Sequence, residues 1–105
     1  MQQTFSGVIF GTTAFHHDSA LVLAPNQIVY VTKMPDGQVE FAMEPGEKTL
    51  CALAWNPKNQ SYTVQPIAQR AVFLETGQPL GRFAYDLPRR TGLYFVERKN
   101  LVVLG

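Results

Sequence analysis

The most informative stretch of the chain is residues 27–44, which read QIVYVTKMPDGQVEFAME. At its centre, Asp36-Gly37 is a dipeptide that accepts the positive backbone torsions of a tight β-hairpin turn. Residues 27–33 are rich in β-branched and aromatic side chains, which suit a pleated, half-buried surface. In residues 38–44, apolar side chains at the odd positions alternate with glutamates and an alanine at the even ones. The stretch therefore predicts two antiparallel strands joined by a tight turn.

Turn signals of the same kind recur at intervals of about ten residues, a spacing typical of a small β-sandwich or barrel. They are Pro25-Asn26, Pro35-Asp36-Gly37, Pro45-Gly46, Asn56-Pro57-Lys58-Asn59, Thr76-Gly77-Gln78-Pro79 and Pro88-Arg89-Arg90-Thr91-Gly92. The runs between them predict strands over residues 19–24, 27–33, 38–44, 49–55, 61–65, 80–86, 93–97 and 101–104.

We therefore expect an all-β fold, either a single small barrel or a two-sheet sandwich of about seven to nine short, mostly antiparallel strands. The chain has 105 residues, of which 46% are hydrophobic, so residues 1–105 are expected to form a single β domain. At most one short helix is expected, over residues 66–76. There Pro66 and Gly77 fit the start and end of a helix, while residues 67–74 also alternate as in a strand.

The end of the chain carries four consecutive apolar residues, 101–104. Such a run would be an aggregation hazard if left in water, so we expect it to be a strand of the sheet with both faces covered.

Net charge and cysteine content narrow the classes of protein. Nine basic and eight acidic side chains give a net charge of +1, which is too small to hold nucleic acid or an anionic membrane by charge alone. The lone cysteine, Cys51, excludes an intrachain disulfide. No export signal or run of about 18 apolar residues is visible, so a soluble, cytoplasmic protein without membrane partners is expected.

Two groups of residues have catalytic or metal-binding character. His16 and Asp18 could share one face of a strand, with His17 on the other, which makes them weak candidates for a metal site. A polar strand end before a turn explains the same residues, and we predict no cofactor.

Cys51 has the chemistry of a nucleophile, but its apolar neighbours predict a buried and inert thiol.

Basic residues concentrate in the last third of the chain. Residues 1–69 carry a net charge of −2 and residues 70–105 one of +3, and all five arginines lie in the second part. Arginines beside aromatic rings are typical of protein interfaces and of single-strand stacking surfaces. The candidate binding residues are Arg82, Tyr85, Arg89, Arg90 and Tyr94.

Three functions are compatible with these features. The favoured one is a non-catalytic binding or assembly module that recognises a protein partner or another copy of itself, because no coherent catalytic set is visible. One alternative is a small metal-dependent or His-based enzyme that uses His16, His17 and Asp18. The other is a single-stranded nucleic-acid binder that uses the arginines and tyrosines above, although the small net charge makes nucleic acid a less favoured partner.

Overall fold

The structure is a computed structural model that describes residues 6–11 and 20–105, and this part of the chain forms ten β-strands. The strands are β1 (Gly7–Gly11), β2 (Ala20–Leu23), β3 (Ile28–Lys33), β4 (Val39–Ala42), β5 (Thr49–Asn56), β6 (Ser61–Pro66), β7 (Val72–Leu74), β8 (Tyr85–Pro88), β9 (Gly92–Phe95) and β10 (Glu97–Leu104). A helix of the length and hydropathy needed to cross a membrane is absent from these described residues.

The strands form two antiparallel sheets of five. The first sheet has the order β2-β1-β10-β9-β7, and the second has the order β4-β3-β5-β6-β8. One hydrophobic cluster contains side chains of both sheets, including Ile9 and Val102 from the first and Leu53 and Val64 from the second. The prediction of an all-β fold is therefore confirmed, in the form of a two-sheet sandwich and not of a closed barrel.

The predicted hairpin is present, and its turn shows why Asp36-Gly37 is needed. Gly37 has a φ of 87°, in the left-handed region that glycine enters without a steric penalty. The Asp36 carboxylate accepts a hydrogen bond from the backbone N–H of Gln38 at 3.0 Å. The N–H of Met34 donates to the carbonyl of Gln38 at 2.8 Å and so closes the turn. Strands β3 and β4 then pair in register, with Val31 opposite Phe41.

The structure differs from the prediction at four places. The strand expected over residues 93–97 ends at Phe95, because the chain turns at Val96, which has a φ of 67°, and Glu97 begins β10. Strand β1 was not expected, and with it the ten described strands exceed the expected seven to nine. Over residues 66–76 the described backbone is a strand, Val72–Leu74, and not a helix. The strand expected over residues 80–86 begins only at Tyr85, because residues 79 and 80 pair instead with Phe73 and Val72 at the edge of the first sheet.

The apolar end of the chain is a strand in the interior of the first sheet, as predicted. β10 lies between β1 and β9, and its side chains alternate. Val102 and Leu104 are fully buried in the core, whereas Leu101 and Val103 are only half-buried. The expectation that both faces of residues 101–104 are covered is therefore wrong for the outer face.

Trp55 and Tyr62 fill the core where the two sheets come closest at the start of β1. Their rings lie 4.8 Å apart between centroids with an interplanar angle of 53°, and both side chains are buried. Gly7 of the first sheet lies directly over them. A Cβ at that position would stand 2.8 Å from Trp55 Cδ2 and 2.8 Å from Tyr62 Oη. The close approach of the sheets here therefore requires glycine.

We predict that Gly7→Ala destabilises the protein by about 1–3 kcal/mol, the usual cost of overpacking a well-filled core. Gly46→Ala is the matched control, because a Cβ there meets no atom within 4 Å, and its effect should stay within about 0.5 kcal/mol. Urea unfolding followed by circular dichroism measures both. Equal stability of the two variants would contradict the packing argument.

Candidate functional site

The five predicted binding residues occupy three separate places. Tyr85 begins β8 in the second sheet, and Arg82 lies in the segment before that strand. Tyr94 lies on β9, in the first sheet. Arg89 and Arg90 lie in the turn that joins these two strands and crosses from one sheet to the other. The fold therefore distributes the five residues over both sheets and the segments beside them.

Tyr94 is enclosed by its neighbours. Its ring stacks on Phe73 of β7, with 4.9 Å between centroids and an interplanar angle of 11°. The Arg98 guanidinium carbon lies 5.0 Å from the centroid of the Tyr94 ring, within the range of a cation–π contact. Only 9% of Tyr94 is exposed. The residue therefore packs as part of a surface cluster and does not offer a free ring for a base to stack on.

The Arg89-Arg90 turn is fixed by backbone hydrogen bonds. The Arg90 N–H donates to the carbonyl of Leu104, and the Thr91 hydroxyl donates to the carbonyl of Pro88 at 2.7 Å. Arg90 has a φ of 71°, so it occupies the left-handed region. Burial raises the pKa of Tyr62, while a hydrogen bond with Val8 and the charge of Arg89 oppose that rise.

The outer face of the first sheet is apolar. Side chains directly opposite each other point to the same side, and this face is opposite to that of the core residues Ile9, Leu93 and Val102. Its members, called here the outer apolar face, are Val8, Phe10, Ala20, Val22, Phe73, Tyr94, Leu101 and Val103. Phe10 is 49% exposed and Val22 58% exposed. Charge reaches this face at its β7–β9 side, where Arg98 of β10 lies over the Tyr94 ring and the Glu75 carboxylate packs over Gly92.

The outer face of the second sheet mixes polar and apolar side chains. Thr32 pairs with Glu40 and Thr63 with Asp86, but Ile28 and Tyr30 pair with alanines on the same face. An antiparallel sheet with one face in the core is expected to present polar side chains on the other. The first sheet departs further from this rule than the second, because charged side chains reach its outer apolar face at the β7–β9 side and leave the β1–β2 side apolar.

A second feature is a pocket of about 210 Å³ between the two segments that join β6 to β7 and β7 to β8. We call it the crossover pocket. Arg70 and Arg82 stand at it, and Pro66, Ala68 and Leu80 supply much of its apolar wall. A wider hollow of about 290 Å³ lies beside the β3–β4 hairpin, lined by Lys33, Met34, Pro35 and Lys48.

Cys51 is buried, as predicted. It is fully inaccessible to solvent, its thiol donates to the carbonyl of Ala52 at 3.5 Å, and burial raises its pKa to about 12. Because the thiolate is the nucleophilic form, this thiol is inert at neutral pH.

The described residues contain no cluster of three or more His, Cys, Asp or Glu side chains that could hold a metal ion. His16, His17 and Asp18 lie outside the described residues, so the metal and His-based predictions made for them stay predictions.

No family model matches the chain, and no curated protein matches it either. What the geometry defines is a class, a two-sheet β-sandwich with an apolar outer face on one sheet and a basic pocket between its crossover segments.

We predict that the native protein resists thiol reagents at pH 8, since reaction requires both exposure and deprotonation of Cys51. A pKa of about 12 in place of 9.0 lowers the thiolate fraction by about a thousandfold. The same protein unfolded in urea is the control and should react at once. Native protein that reacts at the unfolded rate would contradict the burial of Cys51.

The raised pKa also sets a pH dependence of stability. The native thiol keeps its proton up to about pH 12, whereas the thiol of the unfolded chain loses its proton near 9.0. The unfolded state therefore binds fewer protons in that interval, and the free energy of unfolding falls as the pH rises from about 9 towards 12. We expect Cys51→Ala to lose part of this decline in urea titrations between pH 8 and pH 11.

Proposed function

We propose that this chain is a non-catalytic assembly module that associates with a second copy of itself through the outer apolar face. The observation that supports the proposal is the pair of half-exposed side chains Phe10 and Val22 on the β1–β2 side of the face, away from the charged Arg98 and Glu75 on its β7–β9 side. Exposed apolar patches with a polar rim are typical of protein interaction sites.

Charge favours a second copy over an unrelated partner. A two-fold interface brings the same patch of each subunit together, so the patch must complement itself. An apolar face meets this condition because it buries no unpaired charge. At its rim Arg98 lies close to Glu75, whose backbone carbonyl it contacts at 3.1 Å, and Glu97 pairs with Lys99 at 3.4 Å. The rim therefore offers both signs of charge to an identical surface.

The edges of the first sheet are less suited to association than its face. The edge strands β2 and β7 have four and three residues, and short edge strands are a common device against edge-to-edge pairing. Association through strand addition would therefore gain few backbone hydrogen bonds, whereas face-to-face packing uses exposed side chains of neighbouring strands.

The size of the face predicts a weak dimer. Five strands at a spacing of about 4.8 Å make a face about 24 Å wide. Along the strands, five residues span about 17 Å. The face of each copy therefore has an area of roughly 400 Å². This is about half the area that each partner contributes to a standard stable interface. The dimer should therefore dissociate on dilution, with a dissociation constant in the micromolar range or above.

Sedimentation equilibrium between about 1 μM and 1 mM tests the proposal, since this range covers weak association. The wild-type chain should change from monomer to dimer with concentration. Phe10→Glu should weaken the dimer by at least about a hundredfold, because a two-fold interface would bury two unpaired carboxylates. Val22→Lys, on the neighbouring strand, provides a second variant should Phe10→Glu fail to fold.

Ile28→Glu is the matched control. Ile28 is 46% exposed, close to the 49% of Phe10, and both residues lie on the second strand from the edge of their sheets. Ile28, however, belongs to the outer face of the second sheet, so its variant should dimerise like the wild type. A wild-type chain that stays monomeric throughout, or an Ile28→Glu variant as impaired as Phe10→Glu, would refute the proposal.

A further inference from the structure

The crossover pocket carries a concentrated positive charge. Arg70 and Arg82 both line it, and no acidic side chain does. Among the described residues, neither guanidinium takes part in a hydrogen bond or ion pair. Guanidinium groups stay charged at every pH that a folded protein tolerates, and their planar fork of donors fits oxyanions. The pocket therefore has a formal charge of +2 with no internal counterion.

The walls of the pocket are held by hydrogen bonds that do not use the arginine head groups. Gln65 Nε2 donates to the carbonyl of Arg82 at 3.2 Å and to that of Pro66 at 3.3 Å. The Gly81 N–H donates to the hydroxyl of Tyr85 at 2.8 Å. The contact between Gln65 and Arg82 joins β6 to the segment before β8, and the contact between Gly81 and Tyr85 holds that segment against β8.

The segment that carries Arg70 is fixed in the same way. The carbonyl of Leu50 accepts hydrogen bonds from the N–H groups of Ile67 at 2.8 Å and Ala68 at 3.1 Å. Arg70 itself has a φ of 54°, a left-handed conformation that usually belongs to glycine or asparagine.

The interior of the pocket is apolar. Leu80 is almost fully buried and lines the pocket with Pro66, Ala68 and Pro79, beside the amide side chain of Gln69 and the two arginines. The pocket has a volume of about 210 Å³ and is partly open to solvent. The pocket thus fits a compact ligand with an anionic end and an apolar body.

We propose that the crossover pocket binds a small organic phosphate monoester, with its phosphate between Arg70 and Arg82 and its apolar group against Leu80 and Pro66. A phosphate monoester carries a charge of about −1.5 to −2 at pH 7, which matches the two guanidinium groups. A carboxylate would leave one positive charge uncompensated. Inorganic phosphate would leave the apolar interior unused.

Phenyl phosphate is the probe, with benzoate and inorganic phosphate as comparison ligands. In a titration of the ¹⁵N-labelled full chain, phenyl phosphate should bind saturably and shift the amide signals of residues 68–70 and 80–82. Inorganic phosphate and benzoate should each bind about tenfold more weakly, because the first lacks the apolar contact and the second lacks one charge. Inorganic phosphate binding as tightly as phenyl phosphate would overturn the proposal.

Arg70→Gln and Arg82→Gln should each weaken phenyl phosphate binding by about tenfold, as expected for the loss of a charged hydrogen-bond donor at a partly exposed site. Arg89→Gln removes the same charge from an exposed arginine outside the pocket and should leave binding unchanged. An equal loss in all three variants would show attraction by net charge alone and would overturn the site, as would the absence of any localised shift.

Discussion

The hydroxyl group of Tyr62 joins the two sheets, and the close packing of the sandwich depends on it. It accepts a hydrogen bond from the Val8 N–H at 2.8 Å, and its own proton faces the carbonyls of Val8 at 3.0 Å and Gly105 at 2.5 Å. A hydroxyl is one donor with two acceptor sites, so one side chain of β6 satisfies backbone groups of β1 and of the residue after β10. The buried ring needs these partners, because an unsatisfied phenol inside the core would be costly.

The same contact explains why glycine stands at position 7. Only a residue without a Cβ lets β1 approach Trp55 and Tyr62 this closely. The Gly105 N–H donates to the carbonyl of Val8 at 2.6 Å and extends the pairing of β10 with β1. Near the other end of β10, buried Asn100 donates to the carbonyls of Phe95 at 2.9 Å and Gly37 at 3.4 Å. The sheets are thus tied together at two points along one strand.

Turn signals and strand patterns that are local in the sequence predict much of this fold. The elements that they do not predict depend on contacts between residues far apart in the chain. Asp36-Gly37 identifies its hairpin because the turn imposes a positive φ that few residues accept. Strand β1 is not predicted from the sequence, because Gly7 and Gly11 weaken the strand pattern. Glycine is required at position 7 by contact with Tyr62, which lies 55 positions further along the chain. The crossover pocket is lined by Arg82 and also by Arg70, which is not among the residues predicted from the sequence to bind a partner. The sequence does not reveal this pair, because each arginine lies in a segment that crosses between the sheets and only the fold brings the two segments together.

The outer apolar face is not uniform, and its gradient indicates where a second copy would sit. At the β7–β9 side the molecule covers its own surface, since Phe73 stacks on Tyr94 and Arg98 lies over the ring. At the β1–β2 side Phe10 and Val22 remain open. Apolar area that is already covered adds little to association, so the two-fold axis should pass near β1 and not through the centre of the sheet. The residues that line the crossover pocket do not belong to the outer apolar face, so an occupant of that pocket and a second copy on the face use different residues.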